Sequence, residues 1–125
     1  MKATELMVGN LVMLGDKIIR IDAIHKRKVG YHVRFDKLNF VFVDRVSGIP
    51  LTPEILEKNG FVEEEDGLFL LKSKDWVVGL DYFEKKQWTI GIANFPNKLD
   101  ELVINYVHEL QNALTLCEIE NEIEL

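Results

Sequence analysis

Apolar residues recur at helical spacing toward the C-terminal end of the chain, and this pattern constrains the fold more than any other. They are Leu99, Leu102, Val103, Tyr106, Val107, Leu110 and Leu114. At about 100° per residue they form a single stripe, which is typical of an amphipathic helix packed on a core. Asn97 or Asp100 is suited to cap its start. The pattern therefore predicts a long helix over 98–116 that closes the core.

The length and composition of the chain predict a single α+β domain over 1–125. Its 125 residues are 47% hydrophobic and carry a net charge of −6. A chain of this size buries enough surface to fold without a disulfide or a metal. Its single cysteine, Cys117, has no partner for an intrachain bridge and is expected to be a small buried hydrophobe. We expect mostly antiparallel sheet, one short helix and one long helix.

Alternating apolar and polar residues predict strands throughout the N-terminal part, 1–46. Tyr31, Val33 and Phe35 are expected to face inward, because they alternate with polar neighbours. Short strands joined by turns predict a curled antiparallel sheet or a small SH3-like barrel. The expected strands are 11–14, 17–24, 29–36 and 38–43, with a hairpin loop at 25–28.

A short helix is predicted over 52–59, because residues that favour helix ends bound it on both sides. Thr52 is a good N-cap, and Pro53 suits the first helical position. Asn59 and Gly60 supply a left-handed stop. A helix this short is unstable alone, so it must dock on other elements.

Hairpins are predicted in 61–93, the stronger one formed by 76–83 and 87–93 around Glu84-Lys85-Lys86. On the face of this hairpin opposite Trp88, Gly79 would lie across from Gly91, and the two glycines would leave a shallow trough. A helix packed over the trough is favoured, and a ligand groove is the alternative. The expected pairs are Tyr82–Trp88, Leu80–Ile90, Val78–Ile92 and Gly79–Gly91.

The segment 118–125, in which glutamates alternate with apolar residues, is expected to be a solvated acidic tail with little order.

Sequence motifs for catalysis, cofactors and metals are absent. The chain has no glycine-rich phosphate loop and no G-x-S-x-G nucleophile motif. His108-Glu109 begins the zinc-protease pattern H-E-x-x-H, but its second histidine position is Asn112, a poor zinc ligand. We therefore predict a non-enzymatic protein with no cofactor and no metal.

The polar side of the predicted long helix is the first candidate contact surface. It would carry Glu101, His108 and Asn112, opposite the apolar stripe. These residues are candidates for binding a protein partner. The alternative is that His108 is an ordinary solvated histidine.

The segment 20–37 is the second candidate surface, because it holds six lysines and arginines against two aspartates. Its net charge of +4 leaves −10 for the rest of the chain, so only this local strip is expected to attract a polyanion. The strip would bind nucleic acid if its basic residues converge on one exposed face. The alternative is a solvated hairpin tip. The candidate residues are Lys26, Arg27, Lys28, His32 and Arg34.

Three short blocks occur in order along the chain: MKATELMVGNLV at 1–12, IPLTPEILEKNGF at 49–61 and YVHELQNAL at 106–114. Together they resemble a family of uncharacterised small proteins from gut bacterial genomes, prophages and mobile elements. The resemblance implies a bacterial accessory protein of the cytoplasm, and it implies no reaction, cofactor or site.

These observations predict a cytoplasmic, non-enzymatic interaction module with a protein partner, and nucleic-acid binding through the basic strip is the alternative. Neither secretion nor membrane insertion is expected. The first residues lead into no signal-like apolar run, and the apolar runs are too short to span a bilayer.

Overall fold

A computed structural model describes residues 1–83 and 87–125 of the protein, and the predicted turn at Glu84-Lys85-Lys86 lies outside them. The described residues form α+β structure with antiparallel sheets. Helix α1 spans Pro53–Lys58 and helix α2 spans Val107–Leu116. The strands are β1 (Leu11–Leu14), β2 (Lys17–Arg20), β3 (Ala23–Arg27), β4 (Gly30–Phe35), β5 (Asn39–Phe42), β6 (Val46–Ser47), β7 (Val62–Glu65), β8 (Leu68–Lys72), β9 (Val77–Phe83), β10 (Gln87–Asn94) and β11 (Asn97–Ile104).

The described residues group into two compact units. Unit 1 comprises Met1–Pro50 and Tyr106–Asn112, and unit 2 comprises Leu51–Asn105 and Ala113–Leu125. Helix α2 therefore begins in unit 1 and ends in unit 2. The prediction of one domain over 1–125 stays a prediction.

Unit 1 contains two three-stranded antiparallel sheets, with strand orders β2–β1–β6 and β3–β4–β5. The predicted strand 17–24 is wrong in extent, because it breaks at Ile21 and Asp22 and contributes to both sheets. The Ile21 N–H donates to the Asn10 carbonyl (2.9 Å), whereas the Asp22 N–H donates to the Arg34 carbonyl (2.8 Å). The core between these strands consists of Leu6, Val12, Ile19, Ile21, Val33, Phe35, Val43 and Val46.

Unit 2 is built on a five-stranded antiparallel sheet with the order β11–β10–β9–β8–β7. All four predicted cross-strand pairs of the β9–β10 hairpin are confirmed, from Tyr82–Trp88 to Gly79–Gly91. Trp88 is buried, as is Cys117. The register was predictable because a slip of one residue would turn the whole apolar face toward solvent.

The short helix α1 begins and ends as predicted. The Thr52 hydroxyl accepts from the Ile55 N–H (3.2 Å), and Pro53 occupies the first helical position. After the helix, Gly60 has a φ of +90°, and the Phe61 N–H donates back to the Leu56 carbonyl (3.0 Å). The end of the helix is therefore satisfied by residues encoded locally.

The predicted long helix over 98–116 is wrong over its first half. Residues 97–104 form strand β11, which pairs with β10, and α2 begins only at Val107. A bulge shifts the register, so that Leu99, Leu102 and Ile104 lie opposite Ile92, Ile90 and Trp88 respectively. One extra residue in the strand produces the i, i+3 spacing that a helix also has. The apolar pattern thus fits both structures, and pairing with β10 selects the strand.

The acidic segment after α2 is docked rather than freely solvated. Ile119 and Ile123 are buried, while Glu118, Glu120, Glu122 and Glu124 are exposed. The Asn59 side chain donates to the Glu124 carbonyl (2.8 Å) and accepts from the Glu124 N–H (2.8 Å). The prediction of a tail with little order is therefore wrong, because its isoleucines bury apolar surface within unit 2.

The Gly79–Gly91 trough is bordered by strands. A Cβ atom added at Gly79 would lie 3.2 Å from the Leu70 side chain, and one at Gly91 would lie 3.8 Å from the Leu99 carbonyl oxygen. Gly91 is exposed, so the expectation of a helix packed over both glycines is wrong. Within the described part of the chain, helices are too short to cross a bilayer.

Candidate functional site

One face of the β3–β4–β5 sheet in unit 1 combines aromatic and basic side chains. His25 pairs with His32, which pairs with Phe42, and Arg34 pairs with Phe40 in the same way. Directly paired residues in antiparallel strands share a face. Arg27 lies two residues from His25 on β3 and therefore on the same side. We call this set the aromatic–basic face: His25, Arg27, His32, Arg34, Phe40 and Phe42.

The two phenylalanines of this face remain accessible and are supported by neighbouring rings. Phe40 is 47% exposed and Phe42 is 44% exposed. The His32 ring lies 4.1 Å from the Phe42 ring, and the His25 ring lies 5.6 Å from the Phe40 ring, centroid to centroid. These tilted contacts hold the phenylalanine rings in place while leaving part of each ring open to a ligand.

Arg27 lies beside both an aromatic ring and a histidine. Its guanidinium carbon is 5.9 Å from the centroid of the Phe40 ring, within the range of a cation–π contact. Its Nε donates to Nδ1 of His32 (3.3 Å), which requires Nδ1 of His32 to act as an acceptor. Arg27 is exposed, and the ion pairs found among the described residues involve neither Arg27 nor its neighbours Lys26 and Lys28.

Arg34 is engaged within the protein. Its Nε donates to the Asp22 carboxylate, which also accepts from the Lys37 backbone N–H (2.8 Å). The hydrogen bond from Arg34 holds the pKa of Asp22 below its ordinary value, and the Lys37 N–H acts in the same direction. The positive charge of Arg34 is thus balanced locally, and Arg27 is the basic residue of the face that remains open to a polyanion.

The predicted basic strip converges only in part. Arg27, His32 and Arg34 lie on the aromatic–basic face, whereas Lys26 pairs with Tyr31 on the opposite side of the sheet. Lys28 lies in the turn between β3 and β4. The predicted hairpin loop at 25–28 is wrong, because 25–27 belong to β3 and the tight turn follows them.

A cavity of about 280 Å³ adjoins the aromatic–basic face in unit 1. Phe42 lines both the face and the cavity. Tyr31, which was expected to point inward, is 38% exposed and also lines the cavity. The remaining lining comes from Met1, Ala3, the turn residues Val29 and Gly30, Val43 and Asp44. Most of the lining residues are apolar, and Asp44 is the acidic residue among them.

The charge of the chain is divided unevenly between the two units. Unit 1 contains nine lysines and arginines against six aspartates and glutamates, which gives +3. Unit 2 contains six against fifteen, which gives −9, and the two values sum to the net charge of −6. The aromatic–basic face therefore belongs to the positively charged unit of an acidic protein.

The first candidate surface, predicted from Glu101, His108 and Asn112, does not exist as a helix face. Glu101 is an exposed residue of β11 in unit 2. His108 is fully buried, and the Asn112 side chain accepts from Asn10 Nδ2 (2.8 Å) and donates to the Glu5 carbonyl (2.9 Å). The structure thus places two of these residues in the interior contacts of unit 1 and the third on a different element.

His108 is a buried imidazole whose two ring nitrogens have no hydrogen-bond partner among the described residues. Its ring stacks on that of Tyr106, with centroids 5.7 Å apart and planes inclined by 10°. Burial lowers the pKa of His108, while the charges of Glu109 and Glu5 act in the opposite direction. The neutral form is therefore favoured in the folded protein.

His108 is expected to make the protein less stable in mild acid. An unfolded histidine has a pKa of about 6.5, and below that pH the unfolded chain binds a proton that buried His108 resists. The free energy of unfolding should therefore fall between about pH 7.5 and about pH 5.5, and it should fall less in His108→Leu. Urea unfolding of both proteins at the two pH values tests this. Equal losses in both proteins would contradict it.

Phe40 and Phe42 were missed in the sequence, although a signal was present. Val41 and Val43 alternate with them, and Val43 is buried while Val41 is half-buried. If the valines face the core, the phenylalanines must face outward. The segment 38–43 alone predicts a strand, and only the burial of its valines shows that the two aromatic rings face outward.

Comparisons of the chain with protein-family models, with curated proteins and with solved structures gave no match. The aromatic–basic face therefore has to be interpreted from its own geometry and chemistry.

Proposed function

We propose that the protein is a non-enzymatic interaction module that contacts its partner through the aromatic–basic face. The exposure of both Phe40 and Phe42 on one sheet face is the observation that supports this most directly. Clustered apolar rings exposed beside polar groups mark binding surfaces, and aromatic and arginine side chains supply much of the energy at such surfaces. The six residues of the face include two histidines but no serine, threonine or cysteine nucleophile.

The cellular context and the finer fold are part of the same proposal. The resemblance of the blocks at 1–12, 49–61 and 106–114 favours a cytoplasmic accessory protein of a bacterium or prophage. The bend at Ile21 and Asp22, which joins the two sheets of unit 1, favours a small SH3-like barrel. In such a barrel the aromatic–basic face is an outer surface on a rigid scaffold, as a binding module requires.

The proposed contact surface is tested with Phe40→Ser/Phe42→Ser. We expect the wild-type protein to bind a partner at least about tenfold more tightly than this variant, because aromatic anchors dominate interfaces. Ile18→Ser is the matched control, since Ile18 is an exposed strand residue of unit 1 with a similar exposed fraction of 48%. The ligands are labelled single strands, duplex DNA and proteins retained from a bacterial lysate. Equal binding by all three proteins to every ligand would exclude the face.

Nucleic acid is the second candidate partner, favoured by the position of Arg27 over Phe40. Exposed rings stack on unpaired bases, while Arg27 on the face and Lys28 in the adjoining turn supply positive charge for phosphates. The net charge of unit 1 supports this, although the whole chain is acidic. Binding to a labelled single strand should weaken as salt rises from about 50 mM to about 200 mM. A flat titration at the lower salt concentration would leave a protein as the partner.

A further inference from the structure

We propose that the cavity beside Phe42 holds one unpaired nucleobase of a single-stranded nucleic acid, and that Asp44 selects bases that carry an exocyclic amino group. This inference rests on nucleic-acid binding through the aromatic–basic face, the second candidate function. It adds the site of base recognition and the kind of base that is recognised.

Phe42 belongs to the aromatic–basic face and also lines the cavity, so the cavity adjoins the face. Phe42 contacts His32 on the face and lines the cavity together with Tyr31. The volume of about 280 Å³ lies just below the range of pockets that enclose drug-sized ligands, so it suits one planar ring system. Tyr31 and Phe42 lie on opposite faces of the sheet and both line the cavity, so a base in the cavity would stack on the Tyr31 ring, and neighbouring bases could stack on Phe42 and Phe40.

Positive charge lies where the backbone of such a strand would run. Val29 and Gly30 line the cavity, and Gly30 pairs directly with Arg27 across the β3–β4 hairpin. Paired residues in antiparallel strands have Cα atoms about 5 Å apart. Arg27 and the turn residue Lys28 are therefore adjacent to the cavity and within reach of the phosphates that flank a bound base. This charge favours a nucleic acid over an apolar peptide segment as the occupant.

The occupant should be a single strand, because duplex pairing hides the base faces that Tyr31, Phe40 and Phe42 would contact. Asp44 is exposed and lines the cavity. A carboxylate accepts hydrogen bonds only, so it favours the amino group of cytosine over thymine, which presents a carbonyl oxygen at that position. The selection therefore follows from the donor and acceptor pattern of the base.

The experiment compares labelled oligo(dC) and oligo(dT) of about twelve nucleotides by fluorescence anisotropy at about 50 mM salt. We expect the wild-type protein to bind oligo(dC) about tenfold more tightly than oligo(dT), the effect of one charged hydrogen bond. In Asp44→Ala this preference should fall to about one, because the acceptor is lost. Asp16→Ala removes the same charge from an exposed turn of unit 1 and should keep the preference.

The outcomes separate this inference from the function on which it rests. If the wild-type protein and Asp44→Ala bind both strands equally, and Phe40→Ser/Phe42→Ser binds neither, base selection is wrong and nucleic-acid binding stands. If the wild-type protein binds neither strand, both are wrong. Tighter binding of duplex DNA than of single strands would also overturn the proposed base site.

Discussion

Replacing Trp88 by alanine should lower the free energy of unfolding of unit 2 by about 3–5 kcal/mol. Trp88 is only 3% exposed and lies between two aromatic rings of the sheet. Its centroid is 4.8 Å from that of Tyr82 and 5.7 Å from that of Phe69, and its Nε1 donates to the Leu51 carbonyl (3.3 Å). Alanine removes the ring contacts and leaves a cavity that a close-packed sheet fills only in part.

Urea unfolding followed by far-ultraviolet circular dichroism measures this loss without relying on tryptophan fluorescence. Trp88→Phe separates the two contributions, because it keeps an aromatic ring but loses the bond to the Leu51 carbonyl. We expect it to cost about 1–2 kcal/mol. If Trp88→Ala costs no more than about 0.5 kcal/mol, as a surface substitution does, Trp88 is not a core residue of unit 2.

Replacing Gln111 by alanine should lower the free energy of unfolding of unit 1 by about 2–4 kcal/mol, since it leaves the buried Leu11 N–H without its partner and the Gly9 carbonyl with the bond from Arg20 Nη1 (3.1 Å). The Gln111 Oε1 accepts from the buried Leu11 N–H (2.9 Å), and its Nε2 donates to the Gly9 carbonyl (3.2 Å). These bonds attach the first part of α2 to strand β1, across 100 residues of sequence. The loss of a buried partner costs more than the loss of an exposed one.

Two further variants identify the cause of this loss. Gln111→Met keeps most of the side-chain volume but makes neither hydrogen bond, so it should be nearly as destabilising as alanine. Leu116→Ala is the control, because Leu116 lies in the same helix and is exposed, and it should cost less than about 0.5 kcal/mol. Chemical denaturation of the three variants gives the comparison. A Gln111→Met protein as stable as wild type would show that these hydrogen bonds contribute little.

The polar residues of α2 explain why a helix surface was a reasonable but incorrect expectation for function. Gln111 and Asn112 bond to Gly9, Leu11, Asn10 and Glu5 within unit 1. Polar residues at helical spacing usually face water, and the sequence contains no direct sign that Gln111 is buried and Asn112 half-buried. The burial of Gln111 is favourable because the Leu11 N–H and the Gly9 carbonyl near β1 need partners, which the helix supplies. The polar side chains of this helix are therefore engaged within unit 1, whereas the aromatic–basic face is open to a partner.

The sequence alone determined the elements whose signals are local. Thr52, Pro53, Asn59 and Gly60 specify both ends of α1 through their own backbone preferences and hydrogen bonds. The β9–β10 register follows from alternation, since a slip of one residue would turn Leu80, Val78, Ile90 and Ile92 to the opposite face. The existence of a basic segment at 20–37 was likewise evident from composition.

Tertiary structure decided the features that depend on pairing with residues distant in the sequence. The spacing of Leu99 and Leu102 fits a helix or a bulged strand equally well, and hydrogen bonds to β10 select the strand. The break at Ile21 and Asp22 sends one predicted strand into two sheets, which places Arg27 and His32 beside Phe40 and Phe42. The apolar residues at helical spacing over 99–114 therefore belong to strand β11 in their first part and to helix α2 from Val107 onward. Local sequence specifies backbone preference, whereas long-range pairing and burial choose among the structures that this preference allows.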